Sequence, residues 1–160
     1  MRIKKLLIVL SVLLNISLIT YLVLKEDHLT SAYSNLSFGL QGDLVQLEGA
    51  IDYQIQNNWS GDDTVVEKIE DIRESIQELM VTGKDFGVIS RKQEEDLWDL
   101  HRFFAKYPTY TGYPNTKLDH KGIEDLVQLK DDLRAAGWGM NLGYSSDWNS
   151  FSEKIKLLVR

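Results

Sequence analysis

Side chains suited to metal or acid–base chemistry are thinly spread in this sequence. Its histidines are His28, His101 and His120. A bundle-type di-metal carboxylate site needs a glutamate three residues before a histidine on each of two helices. Trp98 stands at that distance before His101, and Lys117 before His120, so the pattern is absent. The histidines form no His-x-x-x-His pair for zinc and read as exposed or edge residues. No calcium loop of the EF-hand type occurs. The acidic runs Asp62-Asp63, Glu94-Glu95-Asp96 and Asp131-Asp132 lie among polar residues and read as solvated helix faces. Ser145, Ser146 and Ser150 are close in sequence, but no Gly-x-Ser-x-Gly turn presents any of them as a nucleophile. A glycine-rich phosphate loop is missing as well. These residues predict no metal, no cofactor and no catalysis by the chain itself. An enzyme built on loop carboxylates stands last among the readings considered.

Aromatic residues are more suggestive. Two stretches, 107–114 and 138–148, hold Tyr107, Tyr110, Tyr113, Trp138, Tyr144 and Trp148 among Gly, Asn, Thr and Pro. Tyrosine and tryptophan in such loops stack on sugars or grip peptides. The same rings equally serve to cover the end of a core. Tyr110, Tyr113, Trp138 and Tyr144 are the candidate binding residues. Tyr110 and Tyr113 are expected to be exposed, and Trp138 and Trp148 to pack. In an up-and-down bundle both loops follow antiparallel helices and could lie at one end.

The elements that position these loops begin with Leu6–Leu24, a run without formal charge. As a helix it is roughly 28 Å long, close to the hydrocarbon thickness of a bilayer. It exceeds the apolar core of a signal peptide, and Lys25-Glu26-Asp27 follows it instead of a small-residue cleavage site. The nearest small-residue triplet, Thr30-Ser31-Ala32, lies well beyond the run. The expectation is a retained signal-anchor helix contacting the lipid bilayer through residues 6–24. Arg2, Lys4 and Lys5 precede it, which predicts residues 1–5 in the cytoplasm and residues 29–160 outside. Asn15, with Ser11 one turn before it, is either a site of transmembrane helix association or a tolerated polar residue.

After Leu29 the pattern becomes amphipathic. Leu36, Leu40, Leu44, Leu47, Ile51, Ile55 and Trp59 recur at spacings of three and four. Gln41, Asp43, Gln46, Glu48, Asp52 and Gln56 are assigned to a wet opposite face. Gly39, Gly42 and Gly49 each weaken this helix by about 1 kcal/mol relative to alanine. They admit a close helix crossing, a bend outside the membrane, or simple tolerance. A second helix starts at Asp62 or Asp63, carries Val66, Ile69, Ile72, Ile76, Leu79 and Met80 inward, and is expected to stop at Gly83. Ser90 to Gln93 forms a capping box for a third, with Leu97, Leu100, Phe104 and Tyr107 inward and Pro108 at its end. A fourth begins between Asn115 and Asp119 and closes at Gly137. A fifth, capped by Ser146 or Asp147, carries Trp148, Phe151, Ile155 and Leu158. No alternating strand pattern appears.

The predicted fold class is all-α: one transmembrane helix followed by an antiparallel bundle of about five helices. The chain carries a net charge of −6, and setting aside Arg2, Lys4 and Lys5 leaves −9. That overall balance argues against nucleic acid as a partner and against electrostatic adhesion of the whole domain to anionic lipid. The sequence contains no cysteine, which excludes a lipid-modified cysteine anchor. The leading expectation is a membrane-anchored extracytoplasmic domain that binds another protein of the cell envelope. The alternative is a ligand- or glycan-binding sensor using the aromatic loops.

Overall fold

The computed structural model describes residues 2–61, 63–109 and 118–160. The chain is all-helical, with α1 Arg2–Gln56, α2 Asp63–Asp85, α3 Arg91–Phe104, α4 His120–Ala135 and α5 Trp148–Leu158, and no strand among the described residues. It divides into two compact units, one ending at Ala32 and the other comprising Tyr33–Arg160.

In the first unit every side chain from Leu6 to Leu24 is exposed, and the most apolar window has a mean hydropathy of 2.5. This helix is long and apolar enough to cross a membrane. Two of its polar side chains are satisfied locally. Asn15 Nδ2 donates to the Ser11 carbonyl at 2.7 Å, and Thr20 Oγ1 to that of Ile16 at 2.9 Å. Back-bonding of this kind hides a polar group inside its own helix.

The second unit has a single solid core. From α1 it takes Tyr33, Leu40, Leu44, Leu47 and Ile51, and from α2 Val65, Ile69, Ile72, Ile76 and Leu79. Leu97, Leu100 and Phe104 of α3, Leu126, Leu129 and Leu133 of α4, and Phe151 and Ile155 of α5 complete it. These are the stripes at spacings of three and four, brought face to face as amphipathic helices require. Polar contacts join the helices: Ser75 Oγ donates to Asp43 at 3.1 Å between α2 and α1, and Lys130 and Arg134 of α4 reach Asp52 and Glu48 of α1 in antiparallel order.

The caps follow the sequence. Ser90 and Gln93 form the reciprocal capping box, and Asp119 and Asp147 cap α4 and α5 through the backbone N–H groups of Gly122 and Ser150. Position 62, one candidate start of α2, lies outside the described residues. Gly137, at φ 93°, closes α4 as expected: its N–H donates to Arg134 O, and the Trp138 N–H to Leu133 O at 2.9 Å. The stop at Gly83 is corrected. Gly83 is buried inside α2, and the left-handed residue is Gly87 at φ 65°, with the Val88 N–H donating back to Gly83 O at 3.0 Å. That is the same terminating motif four residues later.

Three assignments on α1 also change. Leu36 is exposed, whereas Gln41 and Glu48 are buried. The helix runs unbroken through Gly39, Gly42 and Gly49. What comes close is a loop rather than a helix. A methyl group on Gly42 would lie 3.1 Å from the Tyr144 hydroxyl, and one on Gly49 2.7 Å from Met140 Cγ.

Candidate binding surface

The loop joining α4 to α5 is laid along α1, and α1 side chains hold its backbone. Ser34 Oγ donates to Ser146 O at 3.3 Å. Gln41 Nε2 donates to Ser145 O at 2.8 Å, while its Oε1 accepts from the Trp138 indole N–H at 3.3 Å. Glu48 is only 1% exposed; its Oε1 accepts from Arg134 at 2.6 Å and its Oε2 from the Met140 N–H at 3.0 Å. Ser34, Gln41 and Glu48 are seven residues apart, so they fall on one line of the helix, at the edge of the apolar stripe. A loop lying on that line brings backbone groups that its contact with the helix partly shields from water, and the three side chains provide them with partners. From the other side Lys154 Nζ donates to Gly137 O at 2.6 Å and lies over the Trp138 ring at 5.8 Å. Burial holds the Lys154 ammonium below the usual lysine range.

Beside this loop lies a groove of about 610 Å³, lined by Glu48, Asp52, Tyr53, Lys68, Arg134 and Met140 among others. Tyr53 and Met140 are each 62% exposed at its rim. Asp52 accepts from Gln56 at 2.7 Å and pairs with Lys130 at 3.6 Å. A second groove, of about 370 Å³, runs between α2 and α3, with Met80, Val81, Lys84, Glu94, Trp98 and His101 in its lining. Trp98 is 45% exposed and meets the His101 ring edge-on at 5.6 Å. Lys84 pairs with Glu94 at 2.8 Å. Burial, with Arg73 adding to it, lowers the His101 pKa. Every carboxylate lining the two grooves is already held by a protein donor, so what they offer a partner is apolar contact area framed by neutralised charge.

The sequence-derived candidates separate. Tyr110 and Tyr113 lie outside the described residues. Trp138 is 0% exposed, packs on Phe151 and is a core residue; it is not available to stack on a ligand. Trp148 also packs, against Tyr33 and Phe151. Tyr144 is half-buried and lies 4.7 Å from the exposed Phe38 ring. Tyr107 packs on Phe103 and Phe104, and burial, then Asp132 and Asp125, raise its pKa to about 12. The described residues that flank the two loops are separated by a helix. Leu118 and Gly137 bracket opposite ends of α4, about 24 Å apart by helical rise. Tyr53, Trp98, Arg134 and Met140 were not among the candidates. Only the loop ladder had a signal in the sequence, its seven-residue spacing. Among the described residues no group of three or more His, Cys, Asp or Glu side chains is placed to hold a metal ion.

No family model, curated protein or solved structure matches this chain.

Proposed function

We propose that this chain is a single-pass membrane protein, with its N-terminus in the cytoplasm and residues 29–160 outside it. Its helical domain binds another protein of the envelope and performs no catalysis of its own. The observation that carries the binding role is the nature of the two grooves: exposed Tyr53, Met140, Trp98 and Val81 stand beside carboxylates that are all engaged. Aromatic and methionine side chains of this kind anchor interfaces, and paired rim charges set register. The anchor is supported by the uncovered apolar surface of residues 6–24 and by Arg2, Lys4 and Lys5 before it. Tethering confines the domain to a thin layer and raises its effective concentration toward a membrane partner.

Two experiments test this. Carbonate extraction with protease shaving of intact cells reads the topology. Release of a soluble form lacking the first thirty or so residues overturns the anchor. Photo-crosslinkers at Trp98 and Tyr53 read the binding role. Both are expected to give a discrete adduct in membranes that a crosslinker at exposed Lys156 does not give. Identical labelling from all three positions overturns it. The ligand-sensor reading keeps the Phe38–Tyr144 pair, which Lys154 approaches to 6.0 Å. Loss of a glycan or small-molecule ligand on Tyr144→Ala, with partner crosslinking intact, would favour that reading.

A further inference from the structure

The turn between α2 and α3 carries a side chain that the domain does not use. Phe86 is 57% exposed. Gly87 follows at φ 65°, so the helix terminates here in the tight left-handed motif and the ring is held at the tip of the turn. Phe86 packs in neither of the two grooves.

The position of this turn within the domain is well defined. Gly83 packs so closely that a methyl group there would fall 2.7 Å from the Tyr33 ring and 2.5 Å from Ile89. Tyr33 in turn stacks on Trp148 at 5.6 Å. The turn, the start of α5 and Tyr33 therefore share one end of the domain. Tyr33 is also where the domain joins the apolar segment: eight residues separate it from Leu24, and even fully extended they reach no more than about 32 Å. The turn from 84 to 92 is not acidic like the rest of the domain. Lys84, Arg91 and Lys92 stand against the single Asp85. Lys84 and Arg91 pair with Glu94 and Glu95 on the first turns of α3, while Lys92 is exposed and, among the described residues, has no carboxylate within ion-pair distance.

We propose that the α2–α3 turn is a second membrane contact, in which Phe86 enters the interface of an anionic bilayer and Lys92 meets its headgroups. This rests on the anchor reading. An aromatic ring gains most at the depth where acyl chains meet headgroups, and a lysine stem spans from that depth to the phosphates. Each cation near an anionic surface adds roughly 1 kcal/mol. The anchor supplies the high local concentration that one ring and one lysine need. The outcome is an oriented domain, with the turn at the lipid and the grooves' exposed residues turned to partners.

The sequence has no cysteine, so a single introduced one is a clean labelling site. Phe86→Cys and, at the exposed turn after α1, Ser60→Cys are each spin-labelled in the full chain. Both are reconstituted into phosphatidylcholine–phosphatidylglycerol vesicles. The label at 86 is expected to be several-fold less accessible to a water-soluble nickel complex than the label at 60, and more accessible to oxygen. Lys92→Glu in the Phe86→Cys background is expected to restore nickel access. Equal nickel access at 86 and 60, in protein that has inserted, overturns the membrane contact and leaves the anchor standing. A chain that does not insert overturns both. Protection at 86 that persists unchanged in Lys92→Glu overturns the proposal that Lys92 holds the turn to the headgroups.

Discussion

Two stretches of α1 share one secondary structure and differ in everything that determines its surroundings. From Leu6 to Leu24 the helix is apolar on all sides, and no side chain is covered. From Tyr33 to Gln56 it has one buried stripe, with polar residues beside it. A helix apolar on all sides needs an apolar medium around it, whereas a striped helix finds its medium in its neighbours. The helical backbone is satisfied in both, because its hydrogen bonds are internal. What separates the two is the surroundings each suits: the first is long and apolar enough to cross a membrane, and the second packs against a protein core.

The comparison predicts that damage in one stretch leaves the other untouched. The largest effect is expected at Trp138, buried against α1. Trp138→Ala should cost the domain about 3–5 kcal/mol in thermal or denaturant unfolding. It should leave the membrane-bound fraction of the full chain unchanged. The reverse case is Leu14→Arg. A charge at the centre of a spanning helix costs roughly 2.5–3.5 kcal/mol of insertion free energy. Membrane retention should fall, and the melt of a fragment beginning at residue 29 cannot be altered by it. That fragment should itself melt cooperatively with a helical circular dichroism spectrum. If it does not, the second stretch of α1 depends on the first, and the comparison fails.

Glu48 sharpens the picture within the second stretch. Glu48→Gln keeps the shape but removes the charge that Arg134 and the Met140 N–H both use. About 1–3 kcal/mol should be lost, short of the full cost of a buried charge because Arg134 is half-exposed and water reaches it. The loss should appear as faster amide exchange at Met140 and easier proteolysis in 138–146. Uniform loosening of all helices would show that the ladder serves the whole core and not the loop.

The smallest effect concerns His101. Burial, then Arg73, lower its folded pKa below 6.5. The unfolded chain therefore binds the proton more readily, and stability rises with pH through that window. The contribution is complete above about pH 6.5 and is lost as the pH falls toward the folded value. The melting temperature of the domain should decline below pH 6.5, and His101→Gln should shallow that decline. An unchanged slope would assign the acid sensitivity to other groups.

Much of the fold was legible because it rests on local rules. Three- and four-residue spacing marked the buried faces of α2, α3 and α5, and Ser90, Asp147 and Gly137 marked helix ends. Gly83 misled because a buried glycine inside a helix and a terminating glycine look alike in sequence. Only the φ of Gly87 and the crowding by Tyr33 and Ile89 distinguish them. Much less of the binding surface was legible. Trp138 sat in a stretch with the composition of a recognition loop, yet its ring fills the core.

The sequence by itself determined which segments are helical, where each of them starts, and that residues 6–24 are long and apolar enough to cross a membrane, because each depends on residues within a few turns of one another. Tertiary structure alone decided that Gln41 and Glu48 are interior, that Leu36 is not, and which aromatic rings stay exposed. The polarity of a side chain records whether it needs a partner. Whether that partner is water or the backbone of a loop a hundred residues away depends on where the chain returns, and no local spacing encodes that.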